Sequence, residues 1–89
     1  MQLLIINPNT STRVTAAIKT VAERFASPDT HLKVIQATTG PETIRCRHEE
    51  LLSVPATLEC VRAESLGCEG ILFACFGDHP AIYACREPL

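Results

Sequence analysis

The sequence predicts an α/β fold: an open, doubly wound parallel sheet built in the order β-α-β-α-β-α. Two continuous apolar runs, Leu3-Leu4-Ile5-Ile6 and Ile71-Leu72-Phe73-Ala74-Cys75-Phe76, each stop abruptly at a turn, as strands covered on both faces do. Residues 14 to 25 carry apolar side chains at three- and four-residue spacing, the period of a helix with one buried face. Strand and helix signals then alternate with short connections, which favours right-handed crossovers and a parallel sheet.

The first run ends at Asn7-Pro8-Asn9, and Thr10, Ser11 and Thr12 follow as N-cap hydroxyls. Val14, Ala17, Ile18, Val21, Ala22 and Phe25 then define a helix from about residue 11 to 26. Ser27-Pro28-Asp29 ends it, because proline has no amide hydrogen and biases its predecessor away from helical angles. From His31 to Ala37, Leu32, Val34 and Ile35 alternate loosely with polar residues, the pattern of a strand near the sheet edge. The loop Thr38-Thr39-Gly40-Pro41 closes it. The pattern is mixed from Glu42 to Leu52. From Ser53 onward Val54, Leu58, Val61 and Leu66 trace a second helix, with Pro55 in its first turn and Gly67 as its C-terminal cap. The second apolar run is the third strand. It stops at Gly77-Asp78, with a short helix from about Pro80 to Arg86. That helix has barely made two turns at Leu89, and the chain reads as cut rather than finished.

With 89 residues and 46% hydrophobic content, one compact domain or part of one is the ceiling, since two domains would each need a core. A net charge of -2 gives no electrostatic reason to expect nucleic acid or an anionic membrane. No apolar run approaches the roughly 20 residues that cross a bilayer, and Met1-Gln2 lead straight into a strand without a basic leader. The expectation is a cytoplasmic protein that takes a small-molecule ligand. Its 5 cysteines are odd in number and contain no Cys-x-x-Cys pair, so they read as reduced thiols. Cys46 and His48 stand two apart without a second ligand pair, and Arg45-Cys46-Arg47-His48-Glu49-Glu50 reads as a solvated polar stretch rather than a metal site.

In an open parallel sheet the ligand crevice lies beyond the carboxyl ends of the strands. The residues there are Asn7-Pro8-Asn9-Thr10-Ser11 and Cys75-Phe76-Gly77-Asp78. The first segment offers two amides, two hydroxyls and the free N–H groups of a helix start, a set suited to a carboxylate or a carbonyl oxygen. It contains no glycine, so neither a dinucleotide fingerprint nor a Walker loop can be drawn. A cysteine in a buried strand is by default a small hydrophobe. A thiol at a strand end is different if the next helix begins beside it, because the helix dipole favours thiolate. Cys75 has that placement if its strand ends at Cys75 or Phe76. Cys60 and Cys85 fall in helices, Cys68 follows one, and Cys46 sits in the charged stretch. Asp78 reads equally as a partner of the thiol and as the N-cap of the last helix, and His79 as an exposed first-turn residue.

Asn7-Pro8-Asn9-Thr10-Ser11 after strand one, Gly40-Pro41 with Thr43-Ile44 after strand two, and Ala74-Cys75-Phe76-Gly77-Asp78 after strand three together resemble the hydantoin and allantoin racemases of the Asp/Glu racemase superfamily. Ala84 to Glu87 also resembles the family's third helix. The resemblance spans essentially the whole chain, but family members are more than twice as long. It departs after Asp78, where His79-Pro80-Ala81-Ile82 stands in place of a sequence closer to Pro-Gly-Leu.

The resemblance implies that residues 1–89 are one of two pseudo-symmetric α/β domains, the second being absent. It implies a racemase of an amino acid or derivative, using neither pyridoxal phosphate nor metal, in which two cysteines face opposite sides of the α-carbon. One, as thiolate, removes the α-proton and the other, as thiol, returns one to the opposite face. Cys75 carries over as the first of the pair. Asn9, Thr10, Ser11, Phe76, Gly77 and Asp78 carry over as substrate-pocket residues, with Asn7 holding the turn. The second cysteine has no counterpart among Cys46, Cys60, Cys68 and Cys85, so the chain alone is expected to be inactive. The alternative is a non-catalytic ligand-binding or interaction module that keeps the fold. An isolated half exposes apolar surface meant for its neighbour, and a homo-oligomer is the association such a surface permits.

Overall fold

The computed structural model describes residues 1–75 and 77–87. Three parallel strands, β1 (Gln2–Asn7), β2 (His31–Gln36) and β3 (Gly70–Phe73), form a sheet in the order β2-β1-β3. The helices are α1 (Thr12–Phe25), α2 (Arg47–Glu64) and α3 (Pro80–Cys85). The predicted α/β alternation and parallel sheet are both present. Because β2 and β3 lie on opposite sides of β1, right-handed crossovers put α1 on one face and α2 on the other. The packing agrees: α1 lies against β2, whereas α2 contacts β1, β2 and α3.

The sheet order explains the apolar run of β1. Paired on both edges and covered on both faces, Leu4, Ile5 and Ile6 are at most 2% exposed. Asn7 shares a face with Ile5 and donates from Nδ2 to Thr15 Oγ1 of α1 at 2.9 Å, so that face is the one α1 covers. Leu72 is the register partner of Ile5, yet it is 53% exposed. The cover of α1 therefore stops short of β3. Val21 and Phe25 of α1 are likewise exposed, which leaves an open apolar surface on this side of the molecule.

Two elements differ from the sequence-based expectation. The second helix begins at Arg47, six residues before the expected Ser53, and Pro55 consequently lies inside it rather than in its first turn. Its early inward positions are polar, Glu50 and Ser53, so hydrophobic periodicity could not register them. Its C-cap is Ser65; Gly67 follows with φ of 82°, in the left-handed region, and Cys68 N–H closes the turn onto the Ser65 carbonyl at 3.0 Å. The third strand ends at Phe73, although Ala74 N–H still donates to the Ile6 carbonyl at 2.9 Å. The apolar run continues past it because Ala74 and Cys75 leave the sheet while remaining partly enclosed. No helix among the described residues is long and apolar enough to cross a membrane.

Candidate functional site

At the carboxyl ends of β1 and β3 the chain encloses an open cavity of about 340 Å³, lined by Pro8, Asn9, Ile44, Arg45, Glu50, Ala74, Cys75 and Gly77. Cys75 is half-buried and is the one thiol among the described residues that lines this space. Of the predicted site residues, Asn9, Cys75 and Gly77 meet here. Phe76 lies outside the described residues.

Thr10, Ser11 and Asp78 do not line the cavity, and each is engaged elsewhere. Ser11 is the N-cap of α1, its Oγ accepting from Val14 N–H at 3.2 Å. Thr10 is pinned through its backbone: its N–H donates to the Pro41 carbonyl at 3.1 Å and its carbonyl accepts from Gln36 Nε2 at 3.0 Å. Asp78 Oδ1 accepts from the Tyr83 hydroxyl at 2.6 Å, a bond that pushes the phenol pKa upward. The Asn7-to-Ser11 turn holds itself together. Buried Asn7 donates to Asn9 Oδ1 at 2.8 Å, and the same oxygen accepts from Ser11 N–H at 2.9 Å. That fixes the Asn9 carbonyl and leaves its amide nitrogen as the end available to a ligand.

The segment after Cys75 is not arranged as expected. The N-cap of α3 is His79, not Asp78, and His79 is fully buried rather than exposed. Cys75 stands four residues before that cap. The expectation that the next helix begins beside the thiol, where its dipole would favour thiolate, is therefore not met along the chain. What surrounds the segment instead is the start of α2. Arg47, Glu50 and Ser53, at three-residue spacing on one helix face, each reach it. Arg47 NH1 donates to the Asp78 carbonyl at 3.4 Å and pairs with Glu50 Oε1 at 3.1 Å. The Glu50 side chain, 13% exposed, lies so close to Gly77 that a Cβ there would collide with its carboxylate. Ser53 Oγ meets His79 Nε2 at 2.6 Å.

Sequence reasoning missed Glu50 because it stood inside an apparently solvated stretch; the available signal was the spacing of Arg47, Glu50 and Ser53 ahead of the apolar run. Arg45 is on the rim. Its backbone N–H and guanidinium bind Glu49 at 2.7 and 3.4 Å, and the backbone bond holds the Glu49 carboxyl below the usual range. Cys46 is exposed and caps α2 without a side-chain bond to the helix backbone. No group of three or more His, Cys, Asp and Glu side chains suited to a metal occurs among the described residues.

The family model for Asp/Glu/hydantoin racemases matches residues 3–89. The chain belongs to the Asp/Glu/hydantoin racemase family. A hydantoin racemase of Pseudomonas sp. (strain NS671) is 34% identical over 88 residues, covering 98% of this chain and 35% of that protein. One from Rhizobium meliloti is 33% identical over 88 residues, covering 98% and 36%. Among solved structures, allantoin racemase from Klebsiella pneumoniae aligns with a TM-score of 0.85 at 30% identity, over 94% of this chain and 35% of that one. Allantoin racemase from Pseudomonas fluorescens gives a TM-score of 0.77 at 27% identity, over 83% and 32%. The chain thus spans about a third of the length of these racemase-family relatives.

Proposed function

We propose that this chain supplies one face of the site of a cofactor-independent racemase acting on an amino acid or amino-acid derivative of the hydantoin or allantoin kind. The observation that carries the reading is the position of Cys75, a half-buried thiol opening into a cavity beyond the strand ends, with Asn9 on the same wall. In this reading Cys75 as thiolate takes the α-proton. The C–H electron pair delocalises into the adjacent carbonyl, and the Asn9 amide nitrogen donates to the developing enolate oxygen. A second thiol, protonated, returns a proton to the opposite face; in the reverse direction the roles exchange. Residues 1–89 act as the first of two domains, and the second thiol comes from a region equivalent to the part of the relatives that this chain does not match. The support is that no other cysteine among the described residues lines the cavity.

One observation favours a second reading, a ligand-binding module without proton transfer: the cavity holds a single thiol. The two are separated by α-hydrogen exchange in heavy water, followed by proton NMR for each enantiomer of a hydantoin. The chain by itself is expected to show no racemisation, because one thiol serves one face. Joined to the unmatched region of a hydantoin racemase relative it racemises both enantiomers, and Cys75→Ser lowers that rate by on the order of 10²–10⁴. In the Cys75→Ser protein one enantiomer still exchanges without inversion. Equal exchange of both enantiomers after that substitution rejects Cys75 as a face-specific base.

A further inference from the structure

The buried contact between Ser53 and His79 has a single consistent proton arrangement. His79 Nδ1 accepts from Ala81 N–H at 3.1 Å, so it carries no proton. Nε2 then bears the hydrogen and donates to Ser53 Oγ at 2.6 Å, while the Ser53 hydroxyl donates to the Glu50 carbonyl at 2.6 Å. Both side chains are fully buried, and the polar atoms of the relay from the Glu50 carbonyl through Ser53 and His79 to Ala81 N–H are all matched only when the imidazole is neutral. A proton added to Nδ1 would set N–H against N–H at Ala81 and remove the cap of α3. The backbone between Cys75 and His79 is short, and His79 N–H also closes onto the Gly77 carbonyl at 3.0 Å. His79 is thus tied to Gly77, which lines the cavity beside Cys75 Sγ.

We propose that the Ser53–His79 hydrogen bond is a latch that holds the Cys75 turn against α2, that Ser53 and His79 are positioning residues for the thiol, and that the latch is closed only with neutral His79. This rests on the reading of Cys75 as the proton-transfer group, and it adds how that group is held. Burial lowers the His79 pKa, in keeping with a neutral ring, while Glu50 opposes that shift. The charged group acting on the ring is Glu50 of α2, itself paired with Arg47; β3 contributes the Phe73 ring, 5.9 Å away between centroids, which carries no charge.

The test reads the thiol itself in the 89-residue chain, so it does not depend on racemisation. Labelling by 4,4'-dithiodipyridine, which reacts with thiols in acid as well as neutral solution, is resolved by peptide mass spectrometry, with exposed Cys46 as internal reference. Ser53→Ala and His79→Asn each raise the Cys75-to-Cys46 labelling ratio about fivefold at pH 7.5, the population change expected from one lost hydrogen bond. Asn at position 79 keeps an N-cap for α3 but cannot reach Ser53. If Ser53→Ala fails to fold, His79→Asn decides. In the unsubstituted chain the ratio rises as pH falls from 7.5 to 5; the rise persists in Glu50→Gln and is absent in His79→Asn. A ratio in folded His79→Asn within twofold of the parent overturns the latch, as does an acid rise that survives His79→Asn. Either result leaves the racemase reading standing, whereas a normal latch response in a joined protein inert to α-hydrogen exchange rejects the racemase reading alone.

Discussion

A thiol that exchanges protons with a bound ligand needs a fixed position more than it needs a strong field, and the residues around Cys75 supply the first. The turn that carries Asn9 is fixed by buried Asn7, whose Nδ2 donates to Asn9 Oδ1 at 2.8 Å and to Thr15 Oγ1 at 2.9 Å. Asn7→Ala removes one of the two hydrogen bonds to Asn9 Oδ1, which keeps the one from Ser11 N–H, together with the bond to Thr15 Oγ1 and the acceptor of Asn9 N–H. The expected loss is about 1–3 kcal/mol of stability, read by urea denaturation. The same substitution loosens the hold on Asn9, leaving Ser11 N–H as the partner of its Oδ1, so a change in ligand affinity larger than the stability change explains would mark Asn9 as the contact. At this scale, the meeting of Asn9, Cys75 and Gly77 at one cavity was legible in the sequence because residues just beyond the ends of parallel strands face the crevice. Ser11 was legible as an N-cap hydroxyl, whereas the cap of the last helix falls on His79 rather than on Asp78, whose carboxylate accepts from Tyr83 instead. His79 was misread because the histidine's buried partner, Ser53, lies 26 residues away.

Among the elements, α2 departs furthest from its expected bounds and contributes most to the site. Its first turns present Arg47, Glu50 and Ser53 toward the Cys75 segment, whereas Ala56, Thr57 and Val61 turn into the core further along. A period search sees the second half and not the first, because the inward positions change from polar to apolar along one helix. Proline inside the helix reinforced that reading. Pro55 offers no N–H to the carbonyl of Leu51, and it is tolerated where Leu51, Leu52 and Pro55 itself are all exposed, so water can reach the free oxygen. Pro55→Ala restores the helical bond at a solvent-facing position. It is expected to raise thermal stability, by about 1–3 kcal/mol at the midpoint, without changing Cys75 labelling. A loss of stability would mean that the proline's restriction of the unfolded chain outweighs the missing bond. The sheet, by contrast, was readable in outline: β1, with its unbroken Leu3-to-Ile6 run, is central and covered on both faces, although the equally apolar run of β3 belongs to an edge strand on which Leu72 is exposed.

For the molecule as a whole, the open apolar surface formed by Val21, Phe25 and Leu72 and the pH response of the buried latch are separate properties. The first lies on the α1 face; the second lies where α2 meets α3. Protonation therefore acts on stability through His79. Its pKa in the folded chain is lowered from 6.5 by burial, so between 6.5 and that lower value the unfolded chain binds the proton and the folded chain does not. Stability is complete above about pH 6.5, declines as pH falls below it, and levels off once the folded pKa is passed. The slope is at most one proton, about 1.4 kcal/mol per pH unit. The Glu49 carboxyl, whose pKa is lowered from 4.5, adds its own loss only at lower pH, so the two are separable along the titration. Urea midpoints at pH 7.5, 6.5, 5.5 and 5.0 should fall across the last three. His79→Asn should lower the midpoint at pH 7.5 and flatten this part of the curve. If the slope between pH 6.5 and 5.0 is the same with Asn at position 79, His79 is not the group that couples protonation to folding.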